Sequence, residues 1–388
     1  MDEGVNTLKG ASDVLIVGAG PVGAVCALAL QRLGIAVRVL EAQPADARVD
    51  TRTLALSHGA RLILERLGVW ALLGDATPIT RIHISQRGAL GVARLAADDV
   101  GVPALGYVLP YASLTAALKQ ALAEASIAVE YGVAVGRIEP GSAAATLHTA
   151  DGRTLAAPLV VVADGGRGED APAPKFAREY DQTAVVCEVQ TELPHANQAY
   201  ERFTPEGPAA LLPKGNGYAL VWTASRADAE RIAQLADAEF LAALYRHFGG
   251  RQGRFLGASP RRTFPLRLAY TGSEAADRVV RIGNAAQTLH PVAGQGFNIG
   301  LRDAWELADL CGDTPAGEIG GTAMLARYAR GRRVDVLGGL GFTDFLVRAF
   351  SNDIGPLRHA RGLGLLALET LPPLKRFVAR RMIFGARG

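Results

Sequence analysis

Between Val14 and Glu41 the chain carries a pattern that few folds can accommodate. Four apolar residues, Val14-Leu15-Ile16-Val17, run directly into Gly18-Ala19-Gly20-Pro21-Val22-Gly23. A stretch of helical character continues to Leu33, and Gly34 supplies its C-terminal cap. A second apolar strand, Ala36 to Leu40, ends in Glu41. An unbroken apolar run is what a strand buried on both faces of a parallel sheet requires. Together these pieces form the dinucleotide-binding fingerprint: Gly18, Gly20 and Gly23 permit a tight turn and close phosphate approach, and Glu41 suits a ribose hydroxyl. The pattern predicts an adenine dinucleotide and leaves NAD and FAD both open. Val14 to Leu30 holds no charged residue, but its glycines and Pro21 make a strand-to-helix turn, so the segment reads as buried and not as membrane-spanning.

Composition removes several function classes. Lys and Arg number 41 against 38 Asp and Glu, a net charge of +3, and no basic run is interleaved with aromatics. No nucleic-acid partner is expected. The three cysteines, Cys26, Cys187 and Cys311, are far apart, which excludes a disulfide framework and suits a reducing cytoplasm. The histidines are dispersed as well, so no metal is expected. At 388 residues the chain should hold roughly two to three domains.

A second concentrated stretch runs from Arg278 to Asp303. Val279 to Ile282 reads as a buried strand ending at Gly283, with Asn284 at its C-terminal end, where α/β sheets place ligand contacts. A loop with Pro291, Gly294 and Gly296 follows, then a helix from near Asn298 to Leu310. Its glycines allow backbone amides to approach a flat ligand, and the helix start offers N–H groups to an electron-rich ring edge.

The intervening sequence alternates between two periodicities. Thr51 to Ser57 precedes an amphipathic helix from Gly59 to Leu67; Arg52, with no obvious acid partner nearby in sequence, is either a phosphate or flavin contact or a surface arginine. Arg81–Ser85 and Gly91–Leu95 alternate with period two and predict antiparallel strands around Arg87-Gly88, with His83 pointing outward. Ser113 reads as the N-cap of a helix to Glu124. Leu159 to Ala163 is another buried strand, ending at Asp164-Gly165. Val185–Val189, Ala199–Phe203, Ala209–Leu212 and Tyr218–Thr223 predict strands with turns at 205–207 and 214–217, and one helix is expected from Asp228 to Phe248. The expected architecture is α/β. A Rossmann-like domain with a parallel sheet (1–75, 104–180 and 270–315) interleaves with a mainly antiparallel β-sheet substrate domain (76–103 and 181–269). A helical C-terminal region (316–388) follows, and a ligand pocket is expected where the two domains meet.

With the fingerprint, Asp164-Gly165 and the 281–303 stretch together, the chain resembles the FAD-dependent aromatic-ring monooxygenases. HPVAGQGFNIGLRDA, at 290–304, narrows the resemblance to the ubiquinone-biosynthesis hydroxylases. Gly283 to Pro291, HISQRG at 83–88 and ERFTPEGPAALLP at 201–213 are similar to the branch acting on 2-octaprenyl-6-methoxyphenol. Sister branches usually carry Asp and His where Asn284 and Gln287 stand here. The resemblance implies FAD held through Gly18, Gly20, Gly23, Glu41, Arg52 and Asp164 at one end and Asn284, Pro291, Gln295, Gly296 and Asn298 at the other. It also implies NAD(P)H as a transient reductant and oxygen transfer to a polyprenylated phenol through a flavin C4a-hydroperoxide.

His290 is the sole candidate for assisting phenol deprotonation, a structural loop histidine being the alternative; otherwise the chemistry belongs to the cofactor. The family's Asp-Gly-x-x-Ser-x-x-Arg motif is altered, because Gly168 and Ala171 replace the Ser and the Arg; Arg167 is a candidate substitute. A monooxygenase acting on a small soluble aromatic and a flavin-binding scaffold subunit are the competing readings. From Leu371 to the C terminus there are five basic residues and no acid. Leu374, Phe377, Val378 and Met382 fall at helical spacing as one apolar stripe. Peripheral attachment at the inner membrane, or to other subunits of the biosynthetic pathway, is therefore expected.

Overall fold

The computed structural model describes residues 13–47, 50–88, 91–168, 171–289, 295–350 and 355–387. Its centre is a six-stranded sheet in the order Glu274–Ala276, Val279–Arg281, Leu159–Val162, Val14–Val17, Val37–Glu41, Ala128–Tyr131. All pairings are parallel except the first. Leu159–Val162 and Val14–Val17 are buried along their whole length, as their unbroken apolar sequence demands.

Nine helices are described: α1 (Pro21–Arg32), α2 (His58–Arg66), α3 (Tyr111–Glu124), α4 (Arg226–Gln234), α5 (Asp237–Phe248), α6 (Gln295–Gly312), α7 (Thr322–Phe350), α8 (Gly355–Thr370) and α9 (Pro372–Phe384). α1, α3 and α6 bury one face of the parallel sheet through Val25, Leu118, Leu301 and Leu307. A three-stranded sheet, Val135–Glu139, Ala145–Thr149 and Thr154–Ala157, covers the other through Leu147 and Leu155.

The second body is a nine-stranded sheet running from Gln287–Thr288 through Arg262–Tyr270, Phe176–Thr191, Gly217–Ser225, Gly207–Lys214, Gln198–Thr204 and Arg81–Gln86 to Val92–Ala96. Phe255–Ala258 pairs with Phe176–Thr191 off that path. All pairings are antiparallel except Gln198–Thr204 with Arg81–Gln86. One face packs on α4 and α5 through Leu211, Leu220, Phe240 and Leu244. The other faces the parallel sheet's domain.

Several expectations change. The single helix foreseen over 228–248 is two, α4 and α5, because Leu235 and Ala236 are extended. This break lets Ile232 and Phe240 both reach the sheet. α3 starts at Tyr111 with Pro110 as its N-cap, and Ser113 instead donates its hydroxyl to Asp75 Oδ2 at 2.7 Å. α6 begins at Gln295, earlier than the expected Asn298.

His83 does not point to solvent. The outer face of its sheet is also covered, its ring lies 5.7 Å from that of Tyr200, and it is buried. Burial, with Arg251, Arg94 and Arg202 nearby, pulls its pKa down to about 4. The boundary foreseen between 180 and 181 falls inside the continuous strand Phe176–Thr191. The expected stripe on α9 divides: Val378 and Met382 turn inward, while Leu374 and Phe377 are exposed.

Candidate functional site

The fingerprint folds as its sequence demands, but its three glycines are there for different reasons. Gly18 takes a φ of +104°, and a Cβ on it would stand 2.7 Å from the Ala163 carbonyl oxygen. A Cβ on Gly23 would meet the Gly18 carbonyl oxygen at 2.0 Å. Both positions are closed to any side chain by the protein's own backbone. Gly20 has φ −61° and ψ 170°, an ordinary extended conformation, and a Cβ there would meet nothing within 4 Å. Nothing in the chain itself requires glycine at that position. The space beside it belongs to a large cavity.

No side chain caps α1, whose first residue is Pro21. Its N-terminal N–H groups and partial positive charge therefore face the cavity end, an arrangement suited to a pyrophosphate. Glu41, at the end of the adjacent strand, accepts the Ala19 N–H at 2.7 Å and the Gln43 N–H at 2.9 Å. A turn open only at Gly20, an uncapped helix start and a carboxylate at the next strand end fit the dinucleotide half of FAD.

The cavity has a volume of about 2170 Å³. It begins at Gly18, Gly20 and Glu41, passes Arg52, Asp164 and Arg167, and reaches Asn284 and Gly296. From there it continues along the inner face of the nine-stranded sheet, lined by Ile82, Val186, Leu212 and Val221. It ends among α7, α8 and α9, where Phe342, Phe345 and Leu357 are both cavity-lining and exposed.

Arg52 has an acid partner after all. Its Nε donates to Asp50 Oδ2 at 2.6 Å, and its guanidinium lies 5.8 Å from the rings of both Tyr111 and Phe264. It remains 47% exposed, so this pair leaves donors available to the cavity. Asp164 closes the altered middle motif on itself by accepting the N–H groups of Gly166 at 2.9 Å and Gly168 at 2.8 Å. Arg167 is exposed beside it and lines the cavity.

Two foreseen contacts of the late stretch turn toward protein. Asn298 is 2% exposed; its Oδ1 accepts the Ser57 N–H at 2.8 Å and its Nδ2 donates to the Ala55 carbonyl at 3.1 Å. It joins α6 to the strand Thr53–Ser57. Gln295 Nε2 donates to the Met382 carbonyl at 3.4 Å, joining α6 to α9. His290 and Pro291 lie outside the described residues. Among the described residues no group of His, Cys, Asp and Glu is arranged to hold a metal ion.

Sequence reasoning passed over a network beneath this loop. Asp303 Oδ2 accepts the Gly283 N–H at 3.0 Å and the Gln287 amide at 2.6 Å, while its Oδ1 accepts Arg332 Nε at 2.7 Å. Arg332 also pairs with Glu306 at 2.7 Å and Asp335 at 2.8 Å. Asp335 in turn holds Arg302 at 2.8 Å. Burial drives the Asp335 carboxyl upward, but Arg302 and Arg332 outweigh it and hold the pKa below the usual carboxylate range. The network fixes the turn from which Asn284 faces the cavity. Its one sequence signal was an Asp inside an otherwise apolar helix face.

The geometry agrees with what the chain resembles. The family model described as "FAD binding domain" matches residues 11–335. The ubiquinone hydroxylase UbiL of Rhodospirillum rubrum is 36% identical over 383 residues, covering 95% of this chain and 89% of that protein. The 3-demethoxyubiquinol 3-hydroxylase of Escherichia coli is 34% identical, with 94% and 96% covered. Among solved structures, p-nitrophenol 4-monooxygenase PnpA from Pseudomonas putida superposes with a TM-score of 0.78 at 18% identity, covering 97% of this chain and 99% of that one. Klebsiella pneumoniae HpxO, complexed with FAD and uric acid, gives 0.74 at 18% identity, covering 98% and 99%. The chain belongs to the FAD-binding family of the ubiquinone hydroxylases, enzymes of the flavoprotein monooxygenase class.

Proposed function

We propose that this enzyme hydroxylates the aromatic ring of a polyprenylated phenol, of the 2-polyprenyl-6-methoxyphenol type, in ubiquinone biosynthesis, using NAD(P)H and O2. The observation that carries this reading is the cavity: one continuous space from the fingerprint to an apolar opening among α7, α8 and α9. A small soluble aromatic has no use for that second, apolar half. A prenyl tail needs it, because each methylene taken out of water contributes about 0.8 kcal/mol.

In this reading the ADP half of FAD lies against Gly18, Gly20, Gly23 and Glu41. Arg52 and Asp164 stand alongside, and Arg167 takes the place of the missing motif arginine. The flavin would lie near Asn284 and Gly296. Gln295 and Asn298 act by holding α6. Bound FAD supplies the redox chemistry; the chain's own residues orient the ring and keep water from it. Residues 1–75, 104–180 and 270–315 are assigned to the FAD-binding domain and 76–103 with 181–269 to the substrate domain, except that the strand Phe176–Thr191 goes whole to the substrate sheet.

Among the described residues no helix is long and apolar enough to cross a membrane. The rim of the apolar opening supports a peripheral approach instead. Phe345 on α7 lines the opening and is 61% exposed; Leu363 on α8 and Phe377 on α9, on the other two helices that bound it, are 67% and 66% exposed, and α9 carries Arg376 and Arg380 on its exposed surface. Such a surface suits an anionic bilayer from which a prenylated substrate enters.

The test is single-turnover chemistry. Anaerobic NAD(P)H should bleach the flavin, and oxygen should then convert a short-chain prenylated methoxyphenol to its hydroxylated product. Conversion of small phenols alone would transfer the assignment to soluble aromatics. Stoichiometric FAD with no NAD(P)H oxidation in the presence of either substrate would leave a scaffold subunit.

A further inference from the structure

We propose that Glu201 is the proton acceptor for the substrate's phenolic hydroxyl; this role rests on the phenol-hydroxylase reading and gives it a named residue. The strand Gln198–Thr204 sends its odd-numbered side chains to the cavity, and Tyr200, which also borders the cavity, turns its ring to the other layer. Ala199, Glu201 and Phe203 line the cavity, while the Tyr200 ring packs 6.1 Å from Tyr218 in the opposite layer. Directly opposite Glu201 on the neighbouring strands are Ala210 and Ile84. Its four nearest neighbours on the cavity face, Ala199, Phe203, Ala210 and Ile84, are therefore all apolar. One carboxyl stands in the middle of an apolar wall.

The elements packed over that wall do not compensate it. α7 contributes Leu346, Ala349 and Phe350, and α9 contributes Val378 and Met382. α8 contributes one charge, Arg361, whose guanidinium donates to the carbonyls of Leu357, Ala349 and Phe350. The other charged groups on the cavity wall lie elsewhere: Arg52 pairs with Asp50, Glu188 with Lys214, and Arg262 bonds Thr51; Glu41 and Asp164 accept backbone N–H groups, Lys119 donates to the Ala45 carbonyl at 3.1 Å, and Arg167 is exposed. Arg202, next in sequence, bonds Ser85 at 3.4 Å.

Glu201 keeps part of its surface open to the cavity, and the protein packed around it pushes the carboxyl up to about 8. Holding a carboxyl against apolar surroundings is costly, and among the described residues no hydrogen bond or ion pair of Glu201 offsets that cost. A polar ligand group would.

The chemistry is matched. A free phenol titrates near 10 and an ordinary glutamate near 4.3, a gap of roughly six units. With Glu201 near 8 the gap falls to about two, the range in which general-base catalysis is efficient. In the proposed step the phenol O–H bond breaks and the proton passes to a Glu201 carboxylate oxygen. The electron pair stays on the phenol oxygen, which raises electron density at the ring carbons ortho and para to it. The ring thereby becomes the nucleophile that oxygen transfer requires, and no oxidant or reductant enters this step.

Glu201→Gln in the FAD-loaded enzyme tests it, with two readouts. The first is the pH profile of kcat/KM on a prenylated methoxyphenol: wild type should rise with pH to a plateau above about 8, as Glu201 becomes free to accept the proton, and Glu201→Gln should lose that limb. The second is turnover. The variant should retain FAD and lose about 10²- to 10⁴-fold in kcat, with recovery on a nitrophenol analogue that is already ionised at the assay pH. Wild-type turnover and pH profile in Glu201→Gln would overturn the role, as would equal losses on both phenols. FAD-loaded wild type that oxidises NAD(P)H and gives no hydroxylated product from either phenol would instead overturn the hydroxylase reading on which the role rests.

Discussion

Arg332 Nε donates to Asp303 Oδ1 at 2.7 Å with both side chains almost sealed from solvent, at 2% and 3% exposure. Asp303 spends its other oxygen on Gly283 and Gln287. One carboxylate thus connects α6, α7 and the turn carrying Asn284. Removing one member of a buried ion pair strands the other charge, at a cost of about 3–5 kcal/mol. Asp303→Ala is expected to lower stability by that order in chemical denaturation and to release FAD at lower denaturant than unfolding requires. Loss of stability with FAD affinity unchanged up to the unfolding transition would detach this network from the site.

Gly18 and Gly20 should respond oppositely to substitution. Gly18→Ala forces a Cβ onto the Ala163 carbonyl and a side chain into φ +104°, a strain of roughly 1–3 kcal/mol before the clash is counted. It should reduce the melting temperature. Gly20→Val adds its side chain to open space and should fold with wild-type stability, yet purify colourless. A yellow Gly20→Val protein with stoichiometric FAD would show that no ligand passes that position.

The parallel sheet was readable because every signal agreed: apolar tetrapeptides, fingerprint glycines and Glu41 all demand one topology. The cavity wall was less so. Period-two alternation located the strand around Ala199–Phe203, but the sequence reading did not single out Glu201 within it. What alternation cannot state is which side faces a cavity, since the other side, with the half-buried Tyr200, is also packed against protein. His83 was misplaced for the same reason, a two-layer sheet covered on both faces. The buried charge cluster joins Asp303 to residues 29 and 32 positions away, Arg332 and Asp335. Charges on a long helix read as solvated until the helix is docked. α9 misled in a third way: its apolar residues serve a packed face, a cavity and an exposed rim in a single turn.

Arg52 is exposed and paired with Asp50, and surface pairs of this kind contribute about 0–1 kcal/mol. Arg52→Ala should therefore leave thermal stability nearly unchanged. Its effect should fall on the cofactor, as weaker FAD retention or slower flavin reduction, because a charge-assisted contact to phosphate is stronger than the surface pair it has now. Wild-type FAD affinity and reduction rate in Arg52→Ala would confine the residue to its contact with Asp50.

Glu201 should also appear in the pH dependence of stability. Burial raises its folded pKa from 4.5 to about 8, so the folded state holds a proton that the unfolded state has released. Stability due to this group falls as pH rises from near 4.5 and levels off above about 8. Glu201→Gln, which has no proton to lose, should match wild type at pH 4.5 and exceed it at pH 9. Parallel stability curves for the two proteins would mean that the carboxyl is solvated inside the cavity.

The exposed rim of the cavity decides whether the enzyme meets its substrate at a bilayer. Truncating α9 is a poor test, because α9 is part of the fold: the Met382 carbonyl accepts Gln295, and the Ala386 N–H following the helix donates to Asp335 at 2.9 Å. Substituting the exposed residues is cleaner. Phe345→Ser, Leu363→Ser and Phe377→Ser together change three side chains that are each more than half exposed, where substitutions usually alter stability by about 0.5 kcal/mol or less. A fully buried Phe or Leu contributes about 1.5–3 kcal/mol, and each basic residue near an anionic leaflet about 1 kcal/mol. Wild type should float with anionic liposomes at low salt, detach partly at high salt as Arg376 and Arg380 are screened, and float weakly with neutral ones. The triple variant should remain with the unbound protein on all three, while still hydroxylating a detergent-dispersed substrate. Flotation of the triple variant equal to wild type would place the docking face elsewhere, and a wild type that never floats would remove the bilayer from the delivery of substrate.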